Sequence, residues 1–187
     1  MSIIEGVKGA DANLDRERRR QILDAALQCF LQFGYAKTSM DDVAKKANLS
    51  RPLIYLKFKS KRELFWGIYA DFMGSALEAA ETVLKSGNSA KAKLQQISEV
   101  INVKAWQMVV GQPMTREFYP LCEAQFPDES EQFERRRVRI YQKVLGGDRT
   151  LAETFVLAMD GFCADTPSVR VLRARIGILI ERFGDAG

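Results

Sequence analysis

The 187-residue chain contains no histidine. One absence removes the commonest general acid-base side chain near neutral pH, any Ser-His-Asp triad and the commonest metal ligand. Cysteine is scarce. Cys29, Cys122 and Cys163 are far apart, with no CxxC or other ligand spacing. An odd, dispersed set of thiols argues for reduced cysteines and a cytoplasmic setting, with Cys29 and Cys163 serving as small buried hydrophobes in apolar helical stretches. No run approaches the roughly 18 apolar residues of a membrane span, and residues 1–15 have no apolar core of signal-peptide length. Repeats and low-complexity tracts are also missing. Without a nucleophile-base pair or a metal cluster, neither an enzyme nor a cofactor or metal is expected, and no membrane partner.

Apolar residues make up 47% of the chain, enough for a sizeable core, and the charge is uneven. Residues 16–62 hold 12 Lys or Arg against 4 Asp or Glu, a net +8, while the whole chain is only +4. The basic excess therefore lies in one segment. That is the electrostatic footprint of a phosphate-binding surface; a merely solvated face is the competing reading.

The basic segment has helical punctuation. Ile22, Leu23, Ala26, Leu27, Phe30 and Phe33 recur at three- and four-residue steps over residues 16–33, and Gly34 closes that helix. Thr38 and Ser39 cap a second helix over Met40–Ala47, with Asp41 and Asp42 in its first turn, opposite the positive end of the helix dipole. Asn48 tolerates positive φ and makes the corner. Ser50 caps a third helix over residues 51–57, with Pro52 in its first turn. Leu53, Ile54 and Phe58 anchor this short helix and leave its polar start free to approach base edges in a major groove. The spacing predicts a helix-turn-helix.

Gly34-Tyr35, Thr38-Ser39, Asp42-Val43-Ala44, Ala47-Asn48-Leu49-Ser50, Leu53-Ile54-Tyr55, Phe58 and Ser60-Lys61, in this order and spacing, resemble the DNA-binding domain of the TetR family of transcriptional regulators. The likeness covers about the first third of the chain. It departs from the family pattern at Asn48, where Gly is usual, and at Lys57, where His or Tyr is usual. The resemblance implies an all-helical homodimer on a palindromic double-stranded DNA operator, acting as a ligand-responsive regulator of the repressor type. Carried over position by position, it assigns phosphate contacts to Thr38, Ser39, Tyr55, Lys57, Lys59 and Lys61, and base contacts to Ser50, Arg51, Pro52 and Leu53. A helical adaptor that binds only protein is the alternative.

The remaining chain reads as further helices. Residues 1–13 form a flexible arm in this reading. Arg16, Arg18, Arg19 and Arg20 follow, either reaching a minor groove or making a solvated first turn. Residues 14–60 make the helix-turn-helix domain, and 61–187 an effector-binding and dimerisation domain. Ser60 and Glu63 form a capping box for a long helix to about Lys85, which bridges the two domains. A helix over 90–110 ends at Gly111-Gln112-Pro113, and Pro120 and Pro127 break the aromatic-rich segment that follows. Residues 128–145 alternate Arg with Glu and face water, with Phe133, Ile140, Tyr141 and Val144 inward.

Two assignments stay open between function and packing. Trp106, Met108, Phe118, Tyr119 and Tyr141 either fill a core or line a pocket for a small, largely apolar effector, which Tyr119, Gln107 or Glu123 would orient. Phe155, Met159, Phe162, Leu172, Ile176, Leu179 and Phe183 lie on wide apolar stripes over 149–183. They serve either a dimeric four-helix bundle or the protomer's own core.

Overall fold

The computed structural model describes residues 3–183, with side chains from Asn13 onward. Every regular element among these residues is helical, and the chain divides into one compact unit through Ala70 and a second from Asp71.

Unit 1 contains α1 (Ile3–Phe33), α2 (Met40–Ala47), α3 (Arg51–Lys57) and the first turns of α4 (Lys61–Leu84). α1 starts much earlier than residue 16: residues 3–13, expected as a flexible arm, are its first turns, and only residues 1 and 2 of that arm lie outside the described part. The unit boundary falls ten residues beyond the expected one. The start of α4 belongs to the core of unit 1, where Leu64, Phe65, Ile68 and Tyr69 are buried and the Phe65 ring meets Phe30 edge-on at 5.4 Å. α1 buries Ile22, Leu23, Ala25, Ala26, Cys29, Phe30 and Leu31, whereas Phe33, expected on the stripe, is exposed.

Gly67 marks the tightest approach. A Cβ there would sit 2.9 Å from Phe58 Cε1 and 3.1 Å from Leu23 Cδ2. The absent side chain lets α4 close over the α3 anchor. Gly67→Val should therefore destabilise unit 1 by about 1–3 kcal/mol through overpacking, outweighing any gain in helix propensity, and a lowered midpoint in urea unfolding would show it.

Unit 2 contains the rest of α4, α5 (Ala90–Ser98), a π-turn (Glu99–Val103), α6 (Lys104–Val109), α7 (Thr115–Gln125), α8 (Pro127–Val144), α9 (Arg149–Gly161) and α10 (Val169–Phe183). α5, the π-turn and α6 together occupy the single helix expected over 90–110. The segment that Pro120 and Pro127 mark as a short or kinked helix is α7, eleven residues long with solvent-exposed Pro120 inside it, while Pro127 occupies the first turn of α8, where a missing N–H costs nothing. α8 faces water on one side, as its charges imply, but Arg137 turns inward. It is buried, with Nη1 and Nη2 donating to Asp160 at 2.8 and 2.5 Å and Nη2 also to Glu134 at 2.9 Å. Burial works against its charge, and the two carboxylates outweigh that, so the guanidinium stays charged. Arg136 ties α8 to α4 through Glu81 at 2.8 Å.

All three thiols are free, and Cys29 and Cys122 are buried. Burial pushes Cys122 up to about 12 and Cys163 up to about 11, and raises Cys29 as well, so all three stay protonated and weakly nucleophilic at neutral pH.

Candidate nucleic-acid interface

The turn between α2 and α3 is built from three local devices. Ser39 caps α2 in a reciprocal box: its hydroxyl oxygen accepts the Asp42 N–H at 3.2 Å, and its own N–H donates to Asp42 Oδ2 at 2.9 Å. Hydrogen bonds from the Ser39 hydroxyl and amide hold the Asp42 carboxyl below the usual carboxylate range. Asn48 then takes φ 52° and ψ 44°, the left-handed conformation its short polar side chain tolerates, and Leu49 N–H closes the helix on the Ala44 carbonyl at 3.0 Å.

α3 starts differently. Ser50 occupies the N-cap position, yet its hydroxyl makes no capping hydrogen bond. The reason is local. Pro52 removes one of the two amides a cap could serve, and the other, Leu53 N–H, donates to the Ser50 carbonyl at 3.0 Å. The hydroxyl expected as a cap is left exposed beside Arg51 and Pro52, which are exposed too. Ile54 and Phe58 are buried and fix the helix from behind, while Leu53 is half-buried.

Two of the expected phosphate contacts have other work. Thr38 is only 2% exposed, its hydroxyl shared between the carbonyl oxygens of Gly34 at 2.9 Å and Cys29 at 3.2 Å. It locks the loop after α1 and is withdrawn from the surface. Lys61 donates to the carbonyls of Tyr35, Thr38 and Ala36 at 2.8, 3.0 and 3.3 Å, with its ammonium 4.5 Å from the Tyr35 ring centre. Its three N–H groups are thereby occupied. Ser60 caps α4 as expected, accepting Glu63 N–H at 3.1 Å, and the Glu63 carboxylate accepts Lys59 N–H at 2.7 Å. Lys57 forms an ion pair with Asp15 of α1 and is half-buried. Ser39, Tyr55 and Lys59 remain exposed.

One surface residue escaped the sequence reading. Leu56, beside Tyr55 on α3, is 74% exposed, an apolar side chain that the core does not use. The signal was available, since Leu56 lies off the Leu53-Ile54-Phe58 stripe.

In unit 2 the expected effector residues scatter. Trp106 is buried, with Nε1–H donating to the Pro167 carbonyl at 2.8 Å. Tyr141 is fully buried against Phe155, its hydroxyl 2.9 Å from Asn102 Oδ1 and 3.2 Å from Ser98 Oγ. Phe118 is buried with its ring edge-on to half-buried Tyr119 at 5.5 Å. Met108, by contrast, faces solvent, as do Gln107 and Glu123. Of the expected dimer residues, Phe155, Met159, Leu172 and Ile176 are buried inside the protomer, and Phe162, Leu179 and Phe183 are half-buried. Four of the seven stripe residues therefore belong to the protomer's core, and three lie at its edge. The apolar residues left outside are Leu157, 73% exposed, and Ile178, 66% exposed.

Unit 1 is thus a helix-turn-helix domain, with a short, back-anchored third helix presenting an open polar end. Residues 22–66 match the family profile of bacterial regulatory proteins, tetR family. The HTH-type transcriptional regulator YhgD of Bacillus subtilis (strain 168) is 41% identical over 69 residues, covering 37% of this chain and 36% of that protein. The matched region spans between 36% and 41% of the length of three curated relatives. A TetR-like transcriptional regulator from Rhodococcus sp. RHA1 shares 25% identity, with a TM-score of 0.63 over 91% of this chain and 96% of that one. The SmeT-triclosan complex shares the fold at 16% identity and a TM-score of 0.66, over 91% of each chain. The N-terminal unit thus carries the tetR-family sequence pattern, and the chain shares the fold of TetR-like regulators along nearly its whole length.

Proposed function

We propose that this chain is a ligand-responsive transcriptional repressor, cytoplasmic, and binds a palindromic double-stranded DNA operator as a homodimer. The observation that carries the reading is the start of α3. Ser50, Arg51 and Pro52 stand exposed on a helix fixed from behind by Ile54 and Phe58, within the segment that concentrates the positive charge. Base edges in a major groove are read by such an end, and phosphates by the flanking Ser39, Tyr55 and Lys59. Leu56 adds an apolar surface suited to a thymine methyl group.

Selection of binding sites from random DNA tests the class and yields the operator together. Failure to bind any duplex at low salt would favour the protein-only adaptor. Lys59→Ala should weaken binding to all duplexes alike and reduce the slope of log K against log salt by about one unit; an unchanged slope would remove Lys59 from the phosphate set.

Dimerisation uses the outward faces of α9 and α10. Leu157 and Ile178 project there, and Gly161 and Gly177 leave open space where a Cβ would stand, so a partner helix can approach closely. The two reading heads then address half-sites about 34–36 Å apart, or a multiple of that.

The effector is a small, largely apolar molecule held in unit 2. Supporting this are half-buried Tyr119 beside Phe118, the irregular π-turn between α5 and α6, and the triclosan named in the complex that shares the fold. It acts through α4, which runs from unit 2 into unit 1, and shifts the heads only by its differential affinity for two states. Titrating hydrophobic small molecules into the protein-operator complex tests the proposal: it fails if no compound changes operator affinity.

A further inference from the structure

Arg51 reaches solvent from the first turn of α3, but two neighbours hold it. Asp41, in the first turn of α2, places Oδ1 2.9 Å from Arg51 Nε, and its Oδ2 accepts a hydrogen bond from Nη1 at 3.1 Å. On the same helix, the Tyr55 ring centre lies 5.5 Å from the guanidinium carbon. The pair remains open to solvent, with side-chain exposures of 60% for Arg51 and 47% for Asp41. An ion pair this exposed contributes little to stability. Asp42, its neighbour, is committed to the Ser39 cap; Asp41 has no such local task.

The chemistry of the pair favours a base over a phosphate. A guanidinium carries five N–H donors in a planar fork; Nη1 donates to Asp41, Nε lies 2.9 Å from the same carboxylate, and Tyr55 takes a further side-chain hydrogen bond. Two N–H groups are left for guanine O6 and N7, the commonest specific arginine contact. The carboxylate also offsets the charge that would draw a free arginine to the backbone, where no sequence is read. Holding the long side chain in one place before DNA arrives reduces the rotamer entropy lost on contact.

We infer that Asp41 and Arg51 form one reading unit that selects a guanine in each half-site, with Arg51 making the contact and Asp41 as its positioning residue. This rests on the DNA-binding reading above. The test uses the full chain and binding-site selection, followed by titrations on the selected duplex, on a duplex changed at the one base pair, and on random duplex. Wild type should select a guanine at one position that Arg51→Ala no longer selects. Arg51→Lys, which keeps the charge and loses the fork, should also lose it. Asp41→Asn should cut discrimination at that base pair roughly tenfold to hundredfold, leave the other positions unchanged, and strengthen binding to random duplex with a salt slope steeper by about one unit.

Selectivity for that guanine retained by Asp41→Asn, or a wild-type site with no guanine sensitive to Arg51, would overturn the inference while DNA binding stands. A wild type that binds no duplex at low salt would overturn both. A selection defect spread over all positions in Asp41→Asn would mark a misfolded α2 rather than a lost positioning contact, and would also count against the pair.

Discussion

Replacing Leu157 and Ile178 together by aspartate is expected to convert the dimer into a folded monomer that no longer binds the operator tightly. Both side chains lie mostly in solvent in the protomer, so a carboxylate at either position is hydrated and costs the monomer little. At a helix-helix interface the same carboxylates would be desolvated without a partner. A penalty of about 3 kcal/mol or more follows, a hundredfold or greater rise in the dimer dissociation constant. Phe155→Asp provides the contrast. Phe155 is fully buried against Tyr141 and Phe183, so that change should unfold unit 2 outright. Sedimentation with circular dichroism separates the outcomes: a double mutant that sediments as a folded dimer places the interface elsewhere.

That contrast shows where sequence stops being informative. Helical period and caps located α2, α3 and α10 to the residue, because Ser39, Asn48 and Pro52 act through covalent geometry and bonds to their nearest neighbours. A stripe on α9 or α10, however, states only that a face is apolar. Whether it meets α8 of its own chain or a second copy depends on packing among distant segments. Lys61 is occupied for the same reason: its ammonium suits phosphate well, but loop carbonyls distant in sequence take it first. The Thr38 hydroxyl, by contrast, is taken by the nearby carbonyls of Gly34 and Cys29 where the chain turns after α1. Arg137 is the clearest case. Among the alternating charges of α8 it looks like its solvated neighbours, and only Asp160 on α9 draws it inside.

Asp160→Asn should then be among the most damaging conservative substitutions in unit 2. Arg137 is buried, and its Nε already lacks a partner; removing the Asp160 charge would leave the guanidinium with Glu134 alone. Losing one partner of a buried pair typically costs about 3–5 kcal/mol. Asp160 is half-exposed and Glu134 remains, so about 2–3 kcal/mol is expected here, a fall of roughly 10 °C in thermal midpoint. Adding Arg137→Met should recover most of the loss, because the charge that needed a partner is gone. Equal melting of Asp160→Asn and wild type would show the pair to be energetically idle.

The grip of Lys61 on the loop after α1 also has a mechanical side. Three carbonyls converge on one ammonium at the N-terminal end of α4, and Thr38, which supplies one of them, is the residue before the Ser39 cap of α2. Sliding the start of α4 along its axis by a helical turn would break all three bonds. Lys61 therefore acts as a register pin: it fixes the axial position of the first turn of α4 against the loop that leads into α2.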